Sequence, residues 1–184
     1  GVDIPTTNTY GHTGDGINMA LALGAGVALM DDQMPFPMAD CKNSSDETTV
    51  GDDIDCMMIN SEGVRFMDEV RDRYSMTADI MEQPGQMMYM ITDADTCRVE
   101  GDLNRYGHKL ESLINQGQLY VADTIEELAA QIGCEGSVLA KTVEDYNEAA
   151  RSGVDAAFGR TSFSDLSPIE NPPFYASPRT WAMH

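Results

Sequence analysis

Short apolar runs recur along this 184-residue chain, and polar or turn-forming residues bound each of them. The clearest runs are "DCMMIN" at 55–60, "QMMYMITD" at 86–93 and "LYVA" at 119–122. Apolar runs of about four to eight residues between turn signals are typical of buried strands. We therefore predict three short strands, with "SEG" turning the chain after the first and "RFMDE" continuing as strand or turn.

Helical periodicity separates these runs. The pattern at 137–153 is the strongest, because one face is apolar and Gly153 stands at its end. Thr124, with Glu127 three residues later, is a capping signal for another helix. The apolar face of the strongest helix comprises Val138, Leu139, Val143, Tyr146, Ala149 and Ala150. Helices are predicted over 14–30, 71–83, 108–117, 123–133 and 137–153.

The segments between these elements are rich in turn residues. We interpret 31–53, which contains two prolines, as a loop or irregular crossover with a domain boundary near Gln33. The run 93–107 is also polar and loop-like. Short strands alternate with short helices, without the regular βαβ rhythm of a doubly wound sheet. The predicted fold class is therefore α+β.

A glycine-rich stretch, "GHTGDG", opens the helix predicted at 14–30. Its G-x-x-G-x-G spacing does not match the G-x-G-x-x-G fingerprint of dinucleotide-binding folds. Thr13 or Asp15 could cap the helix, and the free N–H groups of a helix start favour an anion. From these residues alone, a plain cap is favoured over a ligand site. The helix face that we expect to be buried comprises Ile17, Ala20 and Leu21.

Composition narrows the function classes. The net charge is −20, from 31 acidic and 11 basic residues. An acidic surface repels phosphates and anionic lipids, which argues against binding to nucleic acid and insertion into membranes. No apolar stretch approaches the ~20 residues that a membrane span needs. The thirteen methionines are interpreted as core residues, and the three histidines are too scattered to predict a metal site.

The four cysteines leave two alternatives open. No pair forms C-x-x-C, so a zinc knuckle is not predicted. One alternative is four mostly buried free thiols, at Cys41, Cys56, Cys97 and Cys134. The other is a Cys41–Cys56 bridge across the polar loop in an oxidising compartment.

The stretch 59–74, "INSEGVRFMDEVRDRY", places three arginines among acidic residues. One interpretation is a solvated, charged turn and helix start. The other is an arginine held among acids at the mouth of a cleft. If the stretch is helical, Arg71 and Arg73 point to different faces, so only one of them could enter a site.

Five segments, taken together and in order, resemble the flavoprotein subunit family of fumarate reductase and succinate dehydrogenase. The resemblance is greatest to its soluble flavocytochrome c fumarate reductase and urocanate reductase branch. The segments look like the family's T-G-D-G helix, its V-N-x-x-G-x-R-F-x-N-E turn, its helical pair with T-V-x-x-Y-N and F-G-R signatures, and its P-F-Y-A segment before a histidine motif. They are "TGDGINMALALGAG", "INSEGVRFMDE", "LYVADTIEELAAQIG", "LAKTVEDYNEAARSGVDAAFGR" and "NPPFYASPRTWAMH".

The resemblance implies an FAD-binding domain interrupted by a capping domain that closes over the flavin. Residues 1–33 would be the C-terminal end of the first FAD-binding segment, and residues 34–184 the capping domain. Thr13, Gly14 and Asp15 would lie at the FAD, where Gly14 allows close backbone approach and Asp15 accepts hydrogen bonds. Most of the FAD surface would belong to the rest of that domain, so we expect this fragment alone to be inactive and to bind no FAD.

The resemblance also implies a reaction. In the family, flavin gives a hydride to one carbon of an activated C=C bond in a small substrate, and an arginine of the cap protonates the other carbon. Counting from the R-F turn, that arginine is Arg73, with Asp72 and nearby acids as candidates for a proton path. His184 would be the first histidine of the closing motif. A heme or a flavin would be the electron donor, and the frequent export of this branch favours the bacterial cell envelope.

The chain departs from the family pattern in one region. The family's H-P-T and T-E-x-x-R motifs, the second of which helps hold a substrate carboxylate, are replaced by "PFPMADCK" and "DETTVGDD". The loop is acidic, so we expect a conjugated substrate less charged than fumarate.

Two other interpretations stay open. One is a flavin-dependent dehydrogenase of the ketosteroid type, and the other is an independent acidic binding domain without redox chemistry. The binding domain would need a closed core, so unpaired apolar surface on 15–30 would argue against it.

Overall fold

Five antiparallel strands form the centre of the structure, a computed structural model that describes residues 4–9, 11–51 and 55–184. Four strands follow the order β1-β7-β3-β2, and β6 also pairs with β7. A separate two-stranded ribbon, β4 and β5, occupies part of the stretch that we predicted to be loop. The strands are β1 (Pro35–Asp40), β2 (Met57–Ile59), β3 (Met87–Thr92), β4 (Val99–Glu100), β5 (Leu103–Asn104), β6 (Tyr120–Ala122) and β7 (Phe174–Met183).

The long strand β7 organises the sheet, and the sequence patterns did not predict it. Strand β3 pairs with β7 over residues 175–180, so it occupies one edge of β7. Strands β6 and β1 share the other edge, where β6 pairs with 174–176 and β1 with 179–183. Pro178 falls in the gap between them, where the missing N–H of proline breaks no ladder.

Strand β1 corrects the prediction that 31–53 is a loop. Pro35 and Pro37 suggested an irregular segment, yet both lie in a strand whose only partner in the described part of the chain is β7. Proline is tolerated on an edge strand because one side of the backbone needs no partner. The ladder is irregular between Phe36 and Ala39, as expected for a proline-containing edge. The last residues of the predicted loop, 52–54, lie outside the described residues.

Helices cover the two faces of the sheet. Alternation along β2 and β3 sends Met57, Ile59 and Ile91 to one face, where they pack against α4 and α5. Met58 and Met90 face the other way and pack against α2. The methionines are thus largely core residues, as predicted. The helices are α1 (Asp15–Ala22), α2 (Arg73–Glu82), α3 (Leu110–Asn115), α4 (Ile125–Ile132) and α5 (Gly136–Ser152).

Sequence signals identified four of the five helices closely. The Thr124 hydroxyl accepts a hydrogen bond from the N–H of Glu127 at 3.2 Å, which confirms the capping signal of α4. Gly153 ends α5 in the left-handed conformation that favours glycine. The apolar face of α5 is buried as predicted at Leu139, Val143 and Tyr146. The mixture of helices and antiparallel strands confirms the α+β class.

Helix α1 differs from its prediction. It is eight residues long rather than seventeen, and none of its residues is buried. Ile17, Ala20 and Leu21, the face that we expected in the core, are exposed. The apolar pattern of α1 therefore has no partner within the described residues.

Three other expectations concern cysteines, metals and membranes. Cys41 is a free thiol at the surface, so the Cys41–Cys56 bridge is not present in the structure. Within 4–9, 11–51 and 55–184, no group of three or more His, Cys, Asp or Glu is arranged to hold a metal ion. No helix in the same ranges is long and apolar enough to cross a membrane.

Candidate functional site

Arg73 is the first residue of α2, and the sequence before it determines that position. The Asp72 carboxylate accepts hydrogen bonds from the N–H of Ser75 at 3.0 Å and from its hydroxyl at 2.6 Å, so Asp72 caps the helix. The Ser75 hydrogen bonds also hold the pKa of Asp72 below its usual value. Asp72 thus acts as the cap of α2, and its part in a proton path stays a prediction.

The structure brings Arg73 and His184 to the same aromatic ring. The Cζ atom of Arg73 lies 5.4 Å from the ring centroid of Phe36, within cation–π range. The ring of Phe36 lies 5.8 Å from that of His184, tilted by 37°. These three residues come from α2, β1 and the end of β7, and 111 positions separate Arg73 from His184 in the sequence.

Hydrogen bonds of the backbone and of one side chain hold His184 in place at the end of β7. The His184 N–H donates to the carbonyl of Met34 at 3.0 Å, which extends the pairing of β1 and β7. The His184 Nδ1 atom lies 2.8 Å from the hydroxyl of Thr7. The N–H of Met183 donates to the Pro5 carbonyl at 2.8 Å, so residues near the N-terminus flank the end of β7.

Thr13, Gly14 and Asp15 form an exposed turn at the start of α1. Gly14 has a φ of 74°, a conformation that favours glycine, and the space where a Cβ would lie is open. The Thr13 hydroxyl donates to the Asp15 carboxylate at 2.8 Å, and no side chain caps the helix. The free N–H groups of this helix start can bind an anion, and the exposed Asp15 carboxylate can accept hydrogen bonds from hydroxyl or amide donors.

Gly14 also lines a cavity of about 810 Å³ between the N-terminal segment and the loop after β1. Arg73 and His184 do not line this cavity. His184 instead borders a neighbouring cavity of about 480 Å³, and Ile4 lines both. The structure therefore groups Arg73 with His184 and places the Gly14 turn at an adjoining cavity.

Two other charged residues of the 59–74 stretch, Arg65 and Glu69, are buried. Arg65 donates twice to Glu69, at 2.8 Å each, and once to Asp155 at 3.0 Å, and all three side chains are buried. Arg160 adds a 3.0 Å contact to Glu69 and a 3.1 Å hydrogen bond to the Cys56 carbonyl. The arginines of the R-F turn and the F-G-R signature thus stabilise one buried network.

The electrostatics of this network favour its charged form. Burial alone would lower the pKa of Arg65, but its hydrogen bonds to Glu69 and Asp155 raise that pKa overall. Burial alone would raise the pKa of Asp155, but hydrogen bonds from Arg65 hold it below its usual value. For Arg65 and Glu69 the interpretation as a solvated turn is wrong, because both side chains are buried. Arg65 is held among acids, as the other interpretation expected, and those acids are Glu69 and Asp155. Between 63 and 69 every second residue is buried, and the charged Arg65 and Glu69 belong to that buried set. No hydrophobic period in the sequence could therefore have marked them.

Arg71 has a different environment from Arg73. It precedes α2 and forms an ion pair with Asp79 at the surface. Arg73 forms no ion pair with any residue in the described ranges. Of these two arginines, only Arg73 contacts the Phe36 ring, beside His184.

Arg179 in β7 is a buried arginine that sequence reasoning missed. It donates to the Thr48 hydroxyl at 2.9 Å and lies 4.0 Å from the Asp40 carboxylate. Burial outweighs the charge of Asp40 and lowers the pKa of Arg179 to about 10. Its Nε and Nη2 atoms have no hydrogen-bond partner within the described ranges. These contacts anchor the loop that follows β1.

Comparison with known proteins places the chain in a family. The chain matches the family described as "FAD binding domain" over residues 1–184. The chain belongs to that family. This confirms the resemblance and FAD as the cofactor of the family.

Two curated relatives are reductases of small unsaturated acids by name. One is a probable fumarate reductase of Shewanella frigidimarina, 35% identical over 95% of this chain and 28% of its own length. The other is a urocanate reductase of Eggerthella lenta, 30% identical over 94% of this chain and 28% of its own length. The chain thus spans less than a third of each relative.

Solved structures agree with the family. The open conformation of a flavocytochrome c3 fumarate reductase superposes with a TM-score of 0.70 and 28% identity, over 99% of this chain and 31% of that one. A 3-ketosteroid Δ1-dehydrogenase of Sterolibacterium denitrificans has a TM-score of 0.67 but 22% identity, over 96% of this chain and 36% of that one. The second likeness shows a shared fold alone.

Proposed function

We propose that the intact protein containing this chain reduces an activated C=C bond, with Arg73 as the acid that protonates one carbon. The observation that carries the proposal is that the Arg73 guanidinium and the His184 ring both lie against the Phe36 ring, in a chain that belongs to an FAD-binding family. FAD, when bound, supplies the hydride for the other carbon. Addition of that hydride and of the proton from Arg73 balances the reduction of the double bond.

Arg73 suits the role of a proton donor for two reasons. It is exposed at the start of a helix, where a substrate can approach its guanidinium. No carboxylate in the described ranges pairs with it, whereas such a partner would favour retention of the proton. A free guanidinium is a weak acid, so its surroundings in the intact enzyme must assist the transfer.

We infer the domain organisation from the burial pattern. Residues 1–33 would end the first FAD-binding segment, with Thr13, Gly14 and Asp15 at the cofactor. Residues 34–184 would form the cap that carries Arg73. The support is that α1 is exposed throughout, whereas the packed sheet begins at Pro35.

The proposed substrate is a small conjugated compound less charged than fumarate. The loop after β1 carries Asp46 and Glu47. The buried Asp40, at the end of β1, accepts hydrogen bonds from the Lys42 backbone N–H and the Thr48 hydroxyl. An acidic loop is unfavourable for a dianion. A heme or flavin group would supply electrons, as the name of the flavocytochrome relative suggests.

Replacing Arg73 in the intact flavoprotein tests the proposal. We expect Arg73→Met to slow substrate reduction by about 100-fold or more, because a positioned general acid contributes that much. Reduced viologen would serve as electron donor, with urocanate, fumarate and an uncharged enone as acceptors. Arg71→Met is the matched control, because it removes a nearby exposed arginine whose ion pair contributes little.

Two outcomes would contradict the proposal. Unchanged turnover in Arg73→Met, with normal flavin content, would exclude Arg73 as the acid. Oxidation of a ketosteroid by a protein that reduces none of the three acceptors would favour the dehydrogenase interpretation instead.

A further inference from the structure

Phe36 is buried although it stands near the start of an edge strand. It is only 9% exposed, and among the described residues no strand pairs with the other side of β1. The Arg73 guanidinium and the His184 ring both lie against it, at 5.4 Å and 5.8 Å between the centres. Two candidate functional residues thus contribute to covering one aromatic side chain.

The backbone fixes Phe36 relative to both neighbours. Phe36 pairs directly with Ala182, two residues before His184, so the ladder of β1 and β7 sets the distance between the two rings. Helix α2 packs on the same core cluster as Phe36, and Asp72 caps the turn that begins at Arg73. The Arg73 side chain is exposed, whereas the Phe36 ring is buried, so the ring is a fixed platform for the guanidinium.

The Phe36 ring supports Arg73 without contributing a charge. The face of an aromatic ring attracts a guanidinium through its quadrupole, but the ring of Phe36 can neither accept nor donate a proton. Arg71, two residues earlier, is instead held by the carboxylate of Asp79. The Phe36 ring thus limits the conformations of Arg73 without adding a negative charge beside it.

We propose that Phe36 is a positioning residue, which holds the Arg73 guanidinium and the His184 ring in the arrangement needed for proton transfer. This inference rests on the proposed function. It assigns to Phe36 no contact with the reacting atoms. Misplacement of a catalytic group by about 1 Å can lower a rate by up to 100-fold, so loss of the platform has a measurable cost.

Substitutions at Phe36 in the intact flavoprotein test this inference. Phe36→Leu keeps an apolar side chain without the ring, and Phe36→Tyr keeps the ring. The first measurement is reoxidation of the reduced flavin by whichever of urocanate, fumarate and the enone the wild-type protein reduces. We expect Phe36→Leu to lower the limiting rate by about 10-fold, with KM changed less than about 3-fold, and Phe36→Tyr to stay within about 3-fold of wild type.

A second measurement needs no turnover. Phenylglyoxal modifies arginine side chains, and peptide mass spectrometry reports the rate at Arg73. We expect modification of Arg73 to be several-fold faster in Phe36→Leu than in wild type or Phe36→Tyr, because the guanidinium is released from the ring. Flavin content and thermal melting establish folding, and Phe36→Met replaces Phe36→Leu if that variant does not fold.

The outcomes separate this inference from the proposed function. If Arg73→Met is inactive while Phe36→Leu keeps both the wild-type rate and the wild-type modification of Arg73, Phe36 is not a positioning residue and the proposed function stands. If Arg73→Met keeps full turnover, Arg73 is not the acid, and the proposed function fails together with the positioning role of Phe36. Equal losses in Phe36→Leu and Phe36→Tyr would show a packing role only and would also overturn the inference.

Discussion

Buried and exposed arginines serve different purposes in this protein. Arg65 and Arg160 surround Glu69 in the interior, where removal of one partner leaves an uncompensated charge. Arg73 lies at the surface against an aromatic ring, where it is accessible to a substrate. The buried arginines therefore matter for stability, and Arg73 matters for the proposed chemistry.

Asp155 makes the stability role of the network testable through pH. We expect Asp155→Asn to lower the free energy of unfolding at pH 7 by roughly 1.5–3 kcal/mol, because a hydrogen bond to the Arg65 charge is weakened. The pKa of Asp155 is lowered in the folded state, so its contribution is present above the ordinary value of 3.8 and is lost as pH falls below it. Urea unfolding at pH 7 and near pH 3 would show the difference between wild type and variant shrinking at the lower pH.

The control for this experiment is Asp145→Asn. Asp145 pairs with Lys141 at 2.8 Å, but both side chains are exposed. We expect a loss below about 0.5 kcal/mol for this exposed pair. A loss at Asp155 as small as that at Asp145 would show that the buried network does not stabilise the fold.

Local signals determine the ends of the elements. Asp72 caps α2 and Thr124 caps α4, each through a hydrogen bond to a backbone N–H three residues later. Strand β1 shows the opposite case, because its prolines contradict strand formation and only its edge position allows it. Caps act within one turn, whereas the tolerance for proline depends on the neighbouring strand.

Thr124 provides a test at this scale. We expect Thr124→Ala to lower the free energy of unfolding by about 1 kcal/mol, because the N–H of Glu127 loses its hydrogen-bond acceptor. Thr124→Ser keeps a hydroxyl and serves as the control, with a change of a few tenths of a kcal/mol. Urea denaturation measures both, and an equal loss in the two variants would mean that the cap hydrogen bond is not the cause.

The molecule as a whole has a packed part and an unpartnered apolar part. The sheet, α2, α4 and α5 enclose the core clusters. Leu23 and Leu29, just after α1, are 90% and 78% exposed. This surface argues against an independent binding domain with a closed core, and it agrees with a chain that spans less than a third of its relatives.

The apolar surface predicts a measurable property of the isolated chain. We expect the double substitution Leu23→Ser and Leu29→Ser to lower the fluorescence of the dye ANS by roughly half, because the two most exposed large apolar side chains of the described ranges are removed. The free energy of unfolding should change by less than about 0.5 kcal/mol, because neither side chain is buried. Val154→Ser, at another exposed apolar position, is the control and should leave the fluorescence unchanged.

The sequence by itself determined the elements whose signals are local. It identified the cap at Thr124, the end of α5 at Gly153, strands β2, β3 and β6, and the five segments that mark the family, because each depends on residues close together in the chain. The tertiary structure alone decided that β7 is the central strand, that Arg65 joins Asp155 and Arg160 in the interior, and that Phe36 joins Arg73 to His184. The residues in those contacts are separated by about 40 to 150 positions in the sequence, and no period or motif encodes which distant side chains the sheet will bring together.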